Sequence, residues 1–478
     1  MHRKTKIIAT ISTLNCSVEF IGRLYKAGMN VVRLNTAHMS HEDALKIITN
    51  TRAISDKIGI LIDTKGPEIR TCDMETPLAV KYEDVIRVKG APREKSHDDV
   101  ICVSYPDIFN DIPVGGCILI DDGNVALAVI DKDEEHLICV VENDGIINSR
   151  KSINIPAVHV RLPALSEKDI DFIRFAAENK VDFIAHSFVR NAADVIAVQQ
   201  ILDETGSAIK IIAKIENHDG VENLGEILDH AYGIMIARGD LAVEIPTEQI
   251  PLIQKSIIRR CIEKRKPVIV ATQMLHSMIK SPRPTRAEVS DVANACLDYA
   301  DALMLSGETA SGKYPELAVV TMAKIASEVE QKKTGYIDTP YWKSDIVAAY
   351  LAKAAVKAAL RLDTAAIVAD SLTGKSILAL AAYRGPNPIY AQLYDEKVVR
   401  QLSLSYGVSA EHIAMDITSN DSLQQSICRL ISEKHFKDED LIVVLAGSFG
   451  PSQGASYIEI SSAGNFKKKC GTSRVAEI

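Results

Sequence analysis

Short runs of apolar residues alternate with helical patterns in two stretches of the chain. The runs are rich in isoleucine and valine, which is typical of strands buried on both faces of a parallel sheet. The eight runs are KIIATI (6–11), NVVRLN (30–35), IGILIDTKG (58–66), VDFIAHSF (181–188), IKIIAKIE (209–216), YGIMIARGD (232–240), PVIVATQ (267–273) and DALMLSGE (301–308). Eight β-α units in this order predict an α/β fold in which a parallel sheet closes into a (β/α)8 TIM barrel. A helical pattern follows Ser166, a residue type that favours the N-cap position.

Two other stretches have different patterns of apolar and polar residues. Between residues 70 and 156, CILIDDGNVALAVID and HLICVVENDG alternate like strands joined by turns, which predicts an inserted all-β domain. After the polar linker QKKTGYIDTPYW, an alanine-rich helix and the buried runs AAIVAD, PIYAQL and DLIVVLAGS predict an open α/β domain. The predicted domains are a catalytic barrel of residues 1–69 and 157–335, an inserted β-barrel lid of residues 70–156, and a C-terminal α/β domain of residues 343–478.

Composition narrows the class of protein. A chain of 478 residues is long enough for about three domains, and 47% hydrophobic with 25% charged residues is ordinary for a soluble protein. A net charge of -8 argues against a general nucleic-acid binder. We expect no membrane span, because no 18 apolar residues run together, and no signal peptide precedes the first strand. Nine scattered cysteines without a CxxC pair indicate reduced thiols in the cytoplasm.

Polar and charged residues gather at the carboxyl ends of the predicted barrel strands, where barrels of this kind form their active sites. A buried charge without a partner costs several kcal/mol or more, so these groups need a ligand or each other. Any single one could instead cap a loop. They are Arg33, Asn35, Asp63, Thr64, Lys65, Ser187, Lys214, Glu216, Arg238, Gly239, Asp240, Thr272, Gln273, Ser306 and Glu308.

Two of these carboxylates end neighbouring strands and suggest a metal site. Glu216 and Asp240 can converge on one divalent ion, and oxygen ligands suit Mg²⁺ or Mn²⁺. Arg33 and Lys214 add positive charge for an anion such as a phosphate or a carboxylate. Gly239 lets backbone N–H groups approach an oxyanion. The pattern predicts metal-assisted chemistry on a small phosphorylated or carboxylated molecule and leaves its identity open.

Six longer motifs carry a resemblance to a known family. IIAKIENHDGVENL, IMIARGDLAVEIP, ATQMLHSMIKSPRPTRAEVSDVANA, ADALMLSGETASGKYP, DTKGPEIRT and LPALSEKD together resemble the pyruvate kinases, and the resemblance covers nearly the whole chain. It implies phosphoryl transfer from phosphoenolpyruvate to ADP, which gives pyruvate and ATP in the last step of glycolysis. It also implies a cytoplasmic homotetramer whose inserted domain closes as a lid.

The resemblance also implies a role for each matching residue. Glu216 and Asp240 would bind Mg²⁺, and Lys214 would stabilise the transferring phosphoryl group and the enolate. Substrate would contact Arg33, Lys214, Gly239, Asp240 and Thr272, with the hydroxyl of Thr272 near the proton delivered to the enolate. The nucleotide side would be formed by Asn35, His38, Arg70 and Lys168, and a K⁺ ion would be held by Asn35, Asp63 and Thr64.

Several positions depart from the family pattern. Ala37 stands where a serine usually supplies a K⁺ ligand, so K⁺ dependence is expected to weaken. ISTLN replaces the usual loop after the first strand, while His186, Ala242 and His276 replace a small residue, a glycine and a glutamate. None of these changes removes a catalytic charge.

The C-terminal domain holds a candidate effector site. DSLTGKS offers Ser371, Thr373, Gly374, Lys375 and Ser376 to a phosphate at a helix N-terminus, and LAGSFGPSQG (445–454) resembles the companion loop. Both segments read equally as turns between strands and helices.

Two other functions compete with an active pyruvate kinase. The ISTLN and Ala37 departures motivate a catalytically impaired regulator that binds a phosphometabolite. A different metal-dependent barrel enzyme of enolpyruvate or oxo-acid chemistry, such as a lyase or aldolase, is the third hypothesis. The inserted domain and the nucleotide-side Arg70 and Lys168 argue against the third, because a lyase needs no ADP pocket.

Overall fold

The structure is a computed structural model that describes residues 3–156, 158, 160–339, 346–413, 422–447 and 454–472. The predicted domain limits at 157 and 343 lie outside these residues. The chain begins with three parallel strands separated by two helices. They are β1 Lys6–Thr10, α1 Val18–Ala27, β2 Val31–Asn35, α2 His41–Arg52 and β3 Gly59–Asp63, with a short turn Thr36–His38 after β2.

The inserted domain follows β3 directly. A seven-stranded sheet has the order β4-β12-β8-β9-β10-β6-β7, and β11 pairs with β5 beside it. A bridge between Thr71 and Val103 joins the ends of the seven-stranded sheet, so the sheet curves back on itself. The elements are β4 Ile69–Arg70, β5 Leu78–Val80, β6 Val85–Gly90, β7 Val100–Val103, α3 Ile108–Asp111, β8 Cys117–Ile120, β9 Val125–Lys132, β10 Leu137–Val141, β11 Gly145–Ile147 and β12 Ser152–Asn154.

The rest of the barrel follows the inserted domain. Its strands are β13 Phe183–His186, β14 Lys210–Ile215, β15 Gly233–Ala237, β16 Val268–Ala271 and β17 Ala302–Leu305. Its helices are α4 Glu167–Glu178, α5 Ala192–Glu204, α6 His218–Glu222, α7 Leu224–His230, α8 Arg238–Glu244, α9 Ile250–Glu263, α10 Arg286–Leu297, α11 Gly307–Ala310 and α12 Pro315–Gln331. Eight parallel strands close in the order β1-β17-β16-β15-β14-β13-β3-β2, which confirms the predicted barrel.

Strand periodicity decides which side chains reach the active end of the barrel. Val31, Leu61 and Ile212 lie in the apolar core enclosed by the strands. Because side chains alternate with period two, the residues two positions later also face inward. The same parity therefore places Arg33, Asp63 and Lys214 above this core at the carboxyl ends of β2, β3 and β14. Ile184 packs in the outer core between strands and helices, so His186 faces outward.

The C-terminal domain has an open five-stranded sheet, as predicted. Its order is β20-β19-β18-β21-β22, with β22 antiparallel to its neighbour. The elements are α13 Ile346–Arg361, β18 Ala366–Ser371, α14 Lys375–Ala382, β19 Ile389–Leu393, α15 Glu396–Gln401, β20 Val408–His412, α16 Ser422–Glu433, β21 Leu441–Ala446, β22 Tyr457–Ser462 and α17 Ala463–Thr472.

Local capping fixes one loop of the active end. Ser166 is the N-cap of α4, as predicted, and its hydroxyl accepts the N–H of Asp169 in a capping box. Asp169 in turn accepts the N–H of Lys65 at 2.9 Å. The start of α4 therefore holds the loop that follows β3.

Two expectations from composition meet the structure here. Among the described helices, none has both the length and the apolar character needed to cross a bilayer. Within the described part of the chain seven cysteines are free thiols, but Cys428 is disulfide-bonded, so the expectation of fully reduced thiols is wrong at that position.

Candidate active site

Lys214 lies at the centre of a cluster of charged side chains at the carboxyl ends of the barrel strands. Its Nζ is 2.9 Å from Glu216 Oε1 and 3.1 Å from Asp63 Oδ1, and it donates a hydrogen bond to Ser187 Oγ at 2.7 Å. Burial alone would lower the pKa of this ammonium, but the charges of Asp63 and Glu216 outweigh burial and raise it above its ordinary value. Lys214 therefore stays charged at neutral pH, held by three oxygens at the mouth of the barrel.

Arg33 completes the positive side of the cluster. Its Nε donates to Asp63 Oδ2 at 2.6 Å, and its Nη1 donates to Thr10 Oγ1 at 3.0 Å. Asp63 thus lies between a guanidinium and an ammonium; burial opposes its ionisation, yet these two cations lower its pKa below the ordinary value. The cluster presents two cations on adjacent sides of one buried carboxylate.

Glu216 and Asp240 form an acidic pair beside Lys214. Glu216 is only 1% exposed, and its Oε2 accepts the N–H of Phe188 at 2.7 Å. Burial, followed by the charge of Glu216, raises the pKa of Asp240 above its ordinary value. Two carboxylates that repel in a buried site are relieved by a shared cation, so this pair fits a divalent ion.

The donor set also limits what kind of metal site this is. Within the described part of the chain, no group of three or more His, Cys, Asp or Glu side chains is arranged to hold a metal ion. A divalent ion held by Glu216 and Asp240 would have coordination positions open to substrate and water. Such an open, oxygen-only site is typical of Mg²⁺ in phosphoryl-transfer enzymes.

Thr272 and Gly239 lie against each other at the next two strand ends. The N–H of Gly239 donates to Thr272 Oγ1 at 2.8 Å, so in this structure that N–H is engaged by a hydroxyl. Thr272 has φ of 69°, a left-handed conformation that costs a threonine free energy and is concentrated at functional sites. Arg238 Nη2 donates to the carbonyl of Thr272 at 2.9 Å and supports this bend.

The predicted K⁺ oxygens lie at the ends of β2 and β3. Asn35 and Asp63 are register partners, and Thr64 follows directly. Each oxygen has an internal partner: Asn35 Oδ1 accepts the N–H of Ala37 at 3.2 Å, and Thr64 Oγ1 accepts the N–H of Ser187 at 3.0 Å. Lys168 Nζ donates to the carbonyl of Ala37 at 3.0 Å, which places an ammonium group next to this set.

A cleft of about 400 Å³ opens between the inserted domain and the barrel, and Asp240 and Arg70 both line it. Arg70 is held by Glu68, with Nε donating to Oε2 at 2.8 Å. Asn35 and Lys168 instead contact Ala37 of the turn Thr36–His38. Of His38, the structure describes only its place in that turn. The predicted nucleotide residues therefore approach the site from two sides.

Sequence reasoning missed several polar residues of this cleft. Lys151 and Asp122 of the inserted domain line it, together with Asn154, Asn217 and Glu244. Asn217 follows the run IKIIAKIE directly, but the other four do not end a long apolar run, so the strand pattern did not predict them. In contrast, Glu308 accepts the N–H groups of Leu275 and Ser306, which makes it a loop cap.

The candidate effector loop joins β18 to α14. Gly374 is the N-cap with φ of 78°, which favours glycine, and its N–H donates to Ser371 Oγ at 3.0 Å. Ser376 Oγ donates to the carbonyl of Asp370 at 3.4 Å, while Thr373 and Lys375 are exposed. Residues 448–453 of the companion loop lie outside the described residues.

The three other departures lie in different surroundings. His276 is exposed and Ala242 packs against the barrel core. His186 is fully buried, and neither ring nitrogen has a hydrogen-bond partner among the described residues. Burial lowers the pKa of His186 to about 4.

His186 should make the fold sensitive to acid. Its ordinary pKa is 6.5 and its folded pKa is lower, so the unfolded chain binds a proton first as the pH falls. Stability is therefore present above pH 6.5 and lost as the pH falls toward 4, by about 2 kcal/mol between pH 7 and pH 5. His186→Ala should flatten this dependence in chemical denaturation, while His230→Ala, at an exposed position, should not. Equal slopes in all three proteins would contradict the assignment.

Comparison with known proteins gives a consistent result. The family model described as "Pyruvate kinase, barrel domain" matches residues 2–319, and "Pyruvate kinase, alpha/beta domain" matches residues 350–461. A pyruvate kinase of Borreliella burgdorferi is 44% identical over 97% of this chain and 98% of its own length. One of Bacillus licheniformis is 42% identical, with 98% and 82% covered. The crystal structure of a pyruvate kinase from Cryptosporidium parvum superposes with a TM-score of 0.90 at 35% identity, covering 96% of both chains.

Proposed function

Because the chain belongs to the pyruvate kinase family, we propose that the cluster around Lys214 transfers the phosphoryl group of phosphoenolpyruvate to ADP, giving pyruvate and ATP. The observation that carries this proposal is the charged Lys214 ammonium beside the Glu216–Asp240 pair at the mouth of the barrel. Phosphoryl transfer needs alignment and charge compensation more than covalent help, and this arrangement supplies both. The comparisons give no support to the regulator or to a lyase-type barrel enzyme.

Each side chain has a separate task in this proposal. Glu216 and Asp240 would hold Mg²⁺, or Mn²⁺, which when bound neutralises phosphate charge. Lys214 and Arg33 bind the anionic substrate and compensate the charge of the migrating group and of the enolate. The hydroxyl of Thr272, fixed against Gly239, positions or relays the proton that converts the enolate to pyruvate. These five side chains at the mouth of the barrel would therefore act as one preorganised site.

The nucleotide would be bound between the barrel and the inserted domain. Arg70 lines the cleft there, and Asn35, His38 and Lys168 would contact the ADP from the β2 side. Closure of the inserted domain as a lid would exclude water, which would otherwise hydrolyse the phosphoryl donor.

A coupled assay tests the function. Purified protein with phosphoenolpyruvate, ADP and Mg²⁺ should form pyruvate and ATP in equal amounts, and removal of divalent ions with a chelator should stop the reaction. No pyruvate under these conditions would reject the proposal, and calorimetry showing ligand binding without turnover would favour the impaired regulator.

The K⁺ site should be weakened by Ala37. The set Asn35, Asp63 and Thr64 is oxygen-only and fits a monovalent cation, but Ala37 supplies no hydroxyl. We expect Ala37→Ser to lower the K⁺ concentration for half-maximal stabilisation against heat by roughly three- to tenfold, as one recovered polar contact would. Thermal unfolding in K⁺ and in tetramethylammonium measures this independently of turnover. Ala53→Ser, at the exposed end of α2, is the matched control.

A contrary result for the K⁺ site is equally clear. Tight K⁺ binding by the wild type that Ala37→Ser does not improve would mean that another oxygen already fills the gap.

The remaining proposals concern cellular location, oligomeric state and regulation. We infer a glycolytic, cytoplasmic homotetramer, without a nucleic-acid or membrane partner. A phosphorylated effector would bind at Ser371, Thr373, Gly374, Lys375 and Ser376. Analytical ultracentrifugation measures the oligomer, and assays with and without sugar phosphates or AMP test for an effector.

A further inference from the structure

Ser187 links the loop that follows β3 to the ammonium group of Lys214. Its Oγ lies 2.7 Å from the carbonyl oxygen of Thr64 and 2.7 Å from Lys214 Nζ, with Asp63 Oδ1 farther away at 3.3 Å. A carbonyl oxygen can only accept and an ammonium can only donate, so the hydroxyl donates to Thr64 and accepts from Lys214. The orientation of the Ser187 hydroxyl is therefore set by these two neighbours.

The backbone of Ser187 is fixed as well. Its N–H donates to Thr64 Oγ1 at 3.0 Å, and the N–H of Thr64 donates to the carbonyl of Ala185 at 3.0 Å. Gly66 packs so closely that a Cβ added to it would lie 2.8 Å from Ser187 Cβ. Ser187 is only 1% exposed, so these contacts, rather than solvent, keep it in place. The hydroxyl thus occupies one preorganised position.

Lys214 donates one of its three N–H groups to this hydroxyl. The other two face carboxylates, with Glu216 Oε1 at 2.9 Å and Asp63 Oδ1 at 3.1 Å. Each carboxylate also has another cation to bind, because Asp63 contacts Arg33 and Glu216 belongs to the proposed Mg²⁺ site. A lysine side chain is flexible, and holding it in one conformation costs about 2 kcal/mol. Ser187 is a neutral third partner that, together with the two carboxylates, defines the position of the ammonium.

We propose that Ser187 is a positioning residue whose hydroxyl holds the Lys214 ammonium at the point from which it compensates the charge of the migrating phosphoryl group. This inference rests on the proposed function. Without the hydroxyl, the two carboxylates alone would hold the ammonium and draw it toward themselves. Charge compensation depends on donors that are in place before the reaction, so a displaced ammonium lowers the rate even though its charge is kept.

The experiment is a double-mutant cycle on the full chain with kcat and KM measured for both substrates. We expect Ser187→Ala to lower kcat roughly tenfold or more, since a hydrogen bond to a charged group is lost, while the KM for ADP changes by less than about threefold. In the Lys214→Met background the same substitution should change kcat by less than about twofold, because the hydroxyl has no ammonium to position. A merely structural role would lower kcat by the same factor in both backgrounds.

Two further variants separate the hydrogen bond from packing. Ser187→Cys keeps a side chain of similar shape but offers only a weak acceptor, so its kcat should resemble that of Ser187→Ala. Ser96→Ala removes another buried hydroxyl, which accepts the N–H of Cys102 at 3.0 Å in the inserted domain, and should leave kcat unchanged. Thermal unfolding checks the fold of each variant, and Ser187→Cys replaces Ser187→Ala in the cycle if the latter is unstable.

The possible outcomes are distinct. Wild-type kcat in Ser187→Ala, or equal losses in the two backgrounds, would overturn the positioning role. Turnover like that of the wild type in Ser187→Cys would assign the effect to packing and would also overturn it. Absence of pyruvate formation by the wild type would instead reject the proposed function, so the two failures are distinguishable.

Discussion

Replacing Lys214 by methionine is expected to lower kcat by about a thousandfold or more, which corresponds to about 4 kcal/mol of transition-state stabilisation. Methionine matches the length of the lysine stem, with a sulfur in place of Cδ, and lacks the ammonium group. Asp63 would keep its ion pair with Arg33, and Glu216 would keep the hydrogen bond from Phe188, so the variant should fold. The loss would then report charge compensation of the migrating phosphoryl group.

The control for this variant lies on the same strand. Lys210 is at the opposite end of β14, half-buried, with its Nζ 5.6 Å from the ring centroid of Tyr232. Lys210→Met should retain kcat within a few-fold of wild type. Circular dichroism and thermal unfolding check the fold of both proteins. Turnover like that of the wild type in Lys214→Met would refute the role given to this residue.

Replacing Glu216 by glutamine should be comparably damaging for a different reason. The amide oxygen can still accept the N–H of Phe188, so the local fold is preserved, but one of the two negative charges of the proposed metal site is lost. We expect kcat to fall by about a thousandfold and the Mg²⁺ concentration for half-maximal activity to rise by at least tenfold. Mn²⁺ titration followed by electron paramagnetic resonance measures the affinity directly.

Two comparisons make the Glu216 result specific. Glu222→Gln, at an exposed position in α6, should leave both metal affinity and kcat unchanged. Lys214→Met should keep or strengthen Mn²⁺ binding, because it removes a competing cation from the carboxylates. Unchanged Mn²⁺ affinity in Glu216→Gln would contradict the assignment of this residue as a ligand.

Much of the barrel and of the site could be predicted from local pattern. The strands are continuous apolar runs, and their period of two also fixes the inward direction of Arg33, Asp63 and Lys214. Each run ends in polar residues, and these predicted which end of the barrel carries the site. Local pattern was sufficient here because these features depend on neighbours along one strand.

Contacts between distant segments could not be predicted in the same way. The inserted domain uses strands as short as the two residues of β4, too short for a periodic signal. Asn154 and Glu244 are 90 positions apart, and both line the cleft only because the inserted domain packs over the barrel. The ammonium of Lys168 on the carbonyl of Ala37 and the bond to Cys428 have the same origin. Tertiary packing, which no single segment encodes, decides all of these.

A crystal structure with Mn²⁺ and oxalate, an analogue of the enolate of pyruvate, tests the central claim most directly. We predict an anomalous peak about 2.1 Å from carboxylate oxygens of both Glu216 and Asp240, with oxalate on its open side and Lys214 alongside. A fully occupied manganese ion bound elsewhere, with no peak between β14 and β15, would contradict the account.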